Sequence, residues 1–173
     1  KGQETYFLPF NMGKGEGIET GSGNPHNPDG VDTEYLWLDV LTMDSILQLV
    51  ESFIFYEVDK SNSKKKTLIF PRYHQRRAVS RLLEDMKTNH TDNNYLIQHS
   101  AGSGKTNTIA WLAHSLVSLH DDQNRNIVDT VLIVTDRIVV DRQLQDAVRQ
   151  ISHKNGVVKV MGDRETSSDL ADA

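Results

Sequence analysis

The second half of the chain alternates between two hydrophobic patterns. Short apolar runs predict four strands, at 67–70, 95–99, 130–134 and 157–161. Between them, apolar side chains recur three and four positions apart, which predicts three helices, at about 71–87, 105–119 and 140–151. Strands that alternate with helices of this length are typical of β-α-β crossovers, in which helices cover both faces of a parallel sheet. The pattern therefore predicts an α/β fold.

The first third of the chain follows a different pattern. Residues 11–30 contain six of the eleven glycines and two of the four prolines, a composition typical of an irregular connector. Residues 44–57 carry apolar side chains on one helical face and predict an amphipathic helix. A polar, basic stretch at 61–66 predicts a solvated turn. The chain is thus expected to consist of a connector part, 1–66, and an α/β part, 67–173.

Composition and charge narrow the class of protein. With 173 residues, 37% of them hydrophobic, and a net charge of −5, this is an ordinary globular sequence. The absence of cysteine excludes a disulfide scaffold, a zinc finger and a cysteine nucleophile. No aliphatic run approaches the ~18 residues of a membrane span, and no signal peptide is visible, so we expect no membrane association. The net negative charge lies in residues 1–66, so a nucleic-acid contact would need a local basic patch.

The motif that carries chemistry is a glycine-rich loop between a predicted strand and a predicted helix. It consists of Ser100, Ala101, Gly102, Ser103, Gly104, Lys105 and Thr106. The two glycines permit a tight turn whose N–H groups point inward, and the following helix directs its positive end to the same place. Lys105 suits the β- and γ-phosphates of a nucleoside triphosphate, and the Thr106 hydroxyl suits Mg²⁺. His99 stands where the strict phosphate-binding pattern has Gly or Ala, and a chance glycine-rich turn is the alternative.

A glutamine upstream of this loop indicates which nucleotide is bound. Gln75 lies thirty residues before Lys105, in the helix that precedes the loop. Its amide offers a donor and an acceptor, which match the N6 and N7 edge of adenine. No Asn-Lys-x-Asp guanine-binding motif occurs in the chain. The alternative for Gln75 is a glutamine on the helix surface without a ligand.

Four arginines in the same predicted helix allow two interpretations. They form i,i+4 pairs beside its hydrophobic stripe, and they are Arg72, Arg76, Arg77 and Arg81. The first interpretation is a solvated basic face that is partly paired with Glu84 and Asp85. The second applies to Arg72, which is close to Gln75 in the sequence and would then lie near the adenine.

Together these motifs resemble those of superfamily-two helicases and translocases, in which an upstream glutamine reads adenine. Residues 135–137 and 141–144, after the predicted strand 130–134, look like the DNA-tracking motif of that superfamily. The resemblance implies DNA contacts by Thr135, Arg137 and Arg142, near the strand ends where parallel sheets bind ligands. The alternative for residues 135–137 is the N-cap and first turn of a helix.

The likeness narrows to the R subunit of type I restriction enzymes. The runs that carry it are 9–11, 23–25, 27–30, 35–37, 44–45, 98–106, 109–114, 135–137 and 141–144. His99 is the residue expected at its position in that family. The resemblance implies a RecA-like parallel sheet in a translocase that uses ATP and Mg²⁺ on double-stranded DNA. It also implies a type I site-specific deoxyribonuclease that works with methylation and specificity subunits in the prokaryotic cytoplasm.

The same resemblance implies which part of such a subunit lies in this chain. Residues 1–66 resemble the end of the nuclease-side region and its connector, and residues 67–173 resemble the first half of the first RecA-like domain. The nuclease residues are then expected before Lys1, and an acidic Mg²⁺-binding motif and a second RecA-like domain after Ala173. These residues alone are therefore expected to be inactive and to contain no residue that cleaves DNA. Two alternatives are another superfamily-two motor and a module that senses ATP without hydrolysing it.

Overall fold

A computed structural model describes residues 10–14, 23–59, 61–62, 64–89, 93–151, 161 and 168. The α-helices named within these ranges are α1 (Met43–Gln48), α2 (Tyr73–Asn89), α3 (Lys105–Val117) and α4 (Ile138–Ile151). Two π-helical segments, Leu36–Val40 and Leu49–Phe53, flank α1. The strands β1 (Phe55–Val58) and β2 (Lys66–Ile69) pair antiparallel, with Phe55 opposite Ile69. Within the described ranges, no helix is long and apolar enough to cross a membrane.

The single helix predicted over 44–57 is wrong in its last four residues. The helical path ends at Ile54, whose backbone is extended at φ −83° and ψ 123°. The residues that follow, from Phe55 to Val58, form β1 and hydrogen-bond to β2. Aromatic and β-branched side chains favour strands, and here the available partner strand overrides the helical spacing of the apolar positions. The predicted strand 67–70 is confirmed as β2, one residue earlier.

The main hydrophobic core joins the N-terminal segments to α2 and α3. Its buried members are Val40, Leu49, Phe53, Phe55, Tyr73, Val79, Leu82, Leu83, Met86, Trp111 and Leu119. At its centre the indole of Trp111 packs against the rings of Phe53 and Phe55, with centroid distances of 5.7 and 6.1 Å. The Trp111 Nε1–H donates a hydrogen bond of 2.9 Å to the carbonyl of Phe53. Residues on both sides of the predicted boundary after Lys66 thus share one core.

The three predicted helices of the second part are present, with ends shifted by about two residues. In α2 the predicted stripe is buried at Val79, Leu82, Leu83 and Met86. A smaller core cluster joins α3 to α4 and contains Ala110, Leu144 and Val148. The imidazole Nε2 of His114 also lies 2.8 Å from the carbonyl oxygen of Val148. The helix α3 therefore packs against both α4 and α2.

The predicted parallel sheet is not confirmed by the structure. Residues 95–99 and 130–134 have no regular secondary structure, and the two named strands form the only sheet among the residues that the structure describes. Leu96 and Val134, which we expected in buried strands, are 93% and 82% exposed. A strand needs a neighbouring backbone to complete its hydrogen bonds, and neither segment has such a neighbour in the described ranges. The strand predicted at 157–161 lies outside the described residues except for Met161.

Candidate functional site

The glycine-rich loop, residues 100–106, adopts the backbone conformation that its two glycines permit. Gly102 has φ +72° and Gly104 has φ +84°, both in the left-handed region that favours glycine. A Cβ placed on Gly104 would lie 2.6 Å from Nε2 of Gln75, whereas one on Gly102 would meet nothing within 4 Å. Position 104 therefore requires glycine, both because of its positive φ and because Gln75 fills the space of a side chain. Gly104 is also the N-cap of α3.

Lys105 folds back over the beginning of the loop. Its ammonium Nζ donates hydrogen bonds to the carbonyl of Ser100 at 2.7 Å and to that of His99 at 3.0 Å. The side chain is exposed, so the ammonium is accessible from solvent. It is also at the first position of α3, where the helix leaves N–H groups without partners and carries a positive partial charge. A positive region therefore surrounds the loop.

Gln75, which the sequence predicts to read adenine, lies directly against the loop. Its Nε2 donates to the carbonyl of Gly104 at 2.9 Å, and its Oε1 accepts from the N–H of Arg72 at 2.8 Å. The residue is only 4% exposed, so Gln75 does not lie on the solvent-facing surface of the helix. Because an amide has two N–H donors and two lone pairs, one donor and one lone pair remain for a further partner.

A histidine next to Gln75, His74, also contacts the loop. The Nε2 of His74 lies 3.2 Å from the carbonyl oxygen of Ser103. Its ring packs edge-on against that of His99, with a centroid distance of 4.9 Å and an interplanar angle of 84°. Burial lowers the pKa of His99, and the neighbouring His74 and Lys105 lower it further. The position of His74 next to Gln75 was the available signal.

Two hydroxyl residues of the loop region differ in their surroundings. Ser103 is buried, and its Oγ has no hydrogen-bond partner in the described part of the chain. Thr106 is half-buried and lines a pocket of about 390 Å³, together with Asn107, Glu57 and Asp146. Among the described residues, no group of three or more His, Asp or Glu side chains could hold a metal ion. The orphaned Ser103 hydroxyl fits a polar ligand such as phosphate, and Thr106 is the residue that the sequence predicts as a ligand for Mg²⁺.

The arginine cluster separates into different environments. Arg76 is buried, and its guanidinium bonds to Ser45 Oγ at 2.7 Å and to the Asp39 carboxylate at 3.4 Å. The prediction of a common solvated face is therefore wrong for Arg76, because the segment containing α1 covers that side of α2. Arg72, by contrast, is exposed, and its backbone N–H donates a hydrogen bond to the side-chain amide of Gln75.

The three residues predicted to contact DNA precede or begin α4. Thr135 is half-buried, and Arg137 and Arg142 are exposed. The Arg137 carbonyl accepts a hydrogen bond from the Asp141 N–H, which supports the alternative role of residues 135–137 in starting the helix. No hydrogen bond or ion pair within the described ranges joins these three residues to the glycine-rich loop. The structure brings Gln75 to the loop but not the predicted DNA-contacting residues.

Comparison with known proteins assigns the chain to a class. The profile of the family described as "Type III restriction enzyme, res subunit" matches residues 68–172. The putative type I restriction enzyme MjaVIIIP endonuclease subunit of Methanocaldococcus jannaschii is 30% identical over 126 residues, which cover 70% of this chain and 12% of that protein. The putative MjaVIIP endonuclease subunit of the same organism is 31% identical over 121 residues, 66% of this chain and 11% of that protein. No solved structure matches.

These similarities define a class, the restriction-enzyme subunits that carry a helicase-like segment. The chain belongs to the family of restriction enzyme res subunits, as a helicase-like part of an R subunit. The resemblance inferred from its motifs is thereby confirmed. The chain spans about one eighth of the length of the curated relatives it matches.

Proposed function

We propose that this chain binds ATP phosphates and adenine in an R subunit that translocates double-stranded DNA and cleaves it, within a type I restriction-modification system. The observation that carries the proposal is the conformation of the glycine-rich loop. Gly102 and Gly104 both have positive φ and lead into α3, and the Lys105 ammonium contacts the Ser100 carbonyl at the start of the loop. This is the arrangement by which glycine-rich loops bind phosphate. The loop residues Ser100 to Thr106 bind the phosphates.

Each residue of the site has a defined task in this proposal. Lys105 exchanges the carbonyls of His99 and Ser100 for phosphate oxygens, which are stronger partners for an ammonium because they are charged. The buried hydroxyl of Ser103 gains the partner that it lacks. The spare donor and lone pair of Gln75 serve the adenine, with Arg72 beside it.

Thr106 would hold Mg²⁺, which supplies charge neutralisation at the phosphates when it is bound. One hydroxyl is a small part of the oxygen ligand set that this ion prefers. We therefore propose that carboxylates elsewhere in the subunit complete the site, and that residues 1–173 by themselves turn over ATP at the background rate. Cleavage of DNA is likewise assigned to other parts of the subunit.

We propose that segments 95–99, 130–134 and 157–161 form strands of a RecA-like parallel sheet in the R subunit. The exposed apolar side chains of Leu96, Leu132 and Val134 support this, since a sheet covered by helices would bury them. Residues 1–66 then form the nuclease-side connector, and residues 67–173 the first half of the motor domain.

Contacts with DNA are proposed for Thr135, Arg137 and Arg142. The two arginines are exposed and able to reach phosphate groups. The printed names of both relatives describe type I restriction enzymes. On that basis we propose methylation and specificity subunits as partners and the prokaryotic cytoplasm as the location.

The test is ATP-driven translocation by the full-length subunit on double-stranded DNA, with the methylation and specificity subunits present. Lys105→Ala is expected to abolish translocation and ATP hydrolysis, because it removes a positioned charge that is worth several kcal/mol at the transferring phosphate. Lys87→Ala, which changes an exposed lysine at the end of α2, is the matched control and is expected to behave like the parent. Parental translocation by a folded Lys105→Ala protein would contradict the proposed function.

A further inference from the structure

We propose that His74 is a positioning residue that holds the glycine-rich loop in its phosphate-binding conformation, an inference that rests on the proposed binding of ATP. His74 and Gln75 are consecutive residues in the first turn of α2. Their side chains contact two consecutive carbonyls of the loop, those of Ser103 and Gly104, at 3.2 and 2.9 Å. Two neighbouring peptide groups of the loop are thus held by two neighbouring side chains of one helix.

These contacts orient the N–H groups that would bind phosphate. A trans peptide group is planar, so its N–H points away from its C=O. The contact of His74 with the Ser103 carbonyl therefore turns the N–H of Gly104 away from α2. The contact of Gln75 with the Gly104 carbonyl does the same for the N–H of Lys105. The Gly104 carbonyl also accepts from the N–H of Thr108 at 3.2 Å, so α3 and the two side chains of α2 together set the direction in which the N–H groups of Gly104 and Lys105 point.

The contact with the Ser103 carbonyl indicates which ring nitrogen of His74 carries a hydrogen. A carbonyl oxygen only accepts, so Nε2 of His74 must carry the hydrogen. The edge-on contact with the His99 ring fixes the orientation of the imidazole plane. His74 and Lys105, the latter on the loop side, are the titratable groups that act on the His99 imidazole. Burial, His74 and Lys105 lower the pKa of His99, which disfavours a second positive charge beside the Lys105 ammonium.

The experiment measures dissociation constants by calorimetry for ATP and for adenosine, using the full-length protein. His74→Phe keeps an aromatic ring against His99 but removes the donor, whereas His74→Gln supplies an amide donor in place of the imidazole. We expect His74→Phe to weaken ATP binding about tenfold, the effect of losing one net hydrogen bond. Adenosine binding is expected to stay at the parental value, because adenosine has no phosphate. His74→Gln is expected to recover most of the ATP affinity.

Three results would overturn the inference, and the last two would both indicate a packing role alone. The first is a parental ATP dissociation constant in His74→Phe. The second is an equal loss of ATP and adenosine affinity, and the third is no recovery in His74→Gln. A parallel measurement on Lys105→Ala separates this inference from the proposed function. If Lys105→Ala loses ATP affinity while His74→Phe does not, only the role of His74 is wrong, and if neither variant loses it, the loop does not bind ATP.

Discussion

The side-chain amide of Gln75 and the carbonyl of Gly104 are joined by a hydrogen bond of 2.9 Å, across 29 residues of sequence. The same amide blocks the space in which a side chain on Gly104 would lie. The start of α2 and the glycine-rich loop therefore depend on each other for their conformation. This relationship connects a glutamine and a glycine that the sequence shows only as two separate motifs.

Substitution of the two loop glycines separates backbone strain from steric overlap. Gly102→Ala places a side chain on a left-handed residue in open space, so we expect a loss of about 1–2 kcal/mol in the free energy of unfolding. Gly104→Ala carries the same strain and must also displace Gln75, so we expect a clearly larger loss. Urea denaturation of both variants checks the order. Equal losses would show that the contact with Gln75 does not restrict this position.

Gln75→Ala tests whether this side chain reads the base. If the spare donor and lone pair of the amide contact adenine, the variant should lose affinity for ATP much more than for GTP. The reason is that guanine does not match the hydrogen-bonding groups of the amide, so GTP gains little binding energy from Gln75 in the parent. Competition binding with both nucleotides measures the two dissociation constants. An equal loss for both would mean that Gln75 only supports the loop through Gly104.

Ser45→Ala and Asp39→Ala test how the N-terminal segment is attached to α2. Ser45 Oγ is buried, accepts from Arg76 and donates to the Val40 carbonyl at 2.6 Å. We expect Ser45→Ala to lower the free energy of unfolding by about 1–3 kcal/mol, the cost of leaving buried polar groups unpaired. Asp39 is 54% exposed, so Asp39→Ala should cost less than about 1 kcal/mol. Chemical denaturation would contradict this assignment if Asp39→Ala were the more damaging change.

Asp85 makes stability depend on acid pH. Its carboxylate accepts hydrogen bonds from Tyr95, Asn93 and Asn89, and these bonds, that of Tyr95 first, lower its pKa. A carboxyl whose pKa is lower when folded stabilises the protein above its unfolded value of about 3.9, and this stabilisation is lost as the pH falls through the folded pKa.

The advantage of the parent over Asp85→Asn in the free energy of unfolding should thus be constant near neutral pH and shrink below about pH 4. Denaturation curves at several pH values measure it. An advantage that grows on acidification would show that the charged form of Asp85 does not stabilise the fold.

The helices of the second part and the glycine-rich loop could be predicted because their signals are local. The spacing of Val79, Leu82 and Met86 gave α2, and Gly102 and Gly104 gave the turn. The strand β1 was missed because its apolar residues also continue the helical period of α1, and only pairing with β2 decides between the two. The segments 95–99 and 130–134 were predicted as strands from their apolar runs, but an apolar run without a paired backbone does not form a strand. The contact of His74 with the loop depends on how α2 packs against it, and its position next to Gln75 is the sequence signal that points to this contact.

The most direct test of the account is the affinity of the full-length protein for ATP, measured by calorimetry on the parent, Lys105→Ala and Lys87→Ala. A hydrogen bond from a charged donor contributes about 1.5–3 kcal/mol. We therefore predict that Lys105→Ala weakens ATP binding by at least about tenfold, while Lys87→Ala binds ATP like the parent. A folded Lys105→Ala protein that binds ATP with the parental dissociation constant would contradict the assignment of residues 100–106 as the ATP phosphate site.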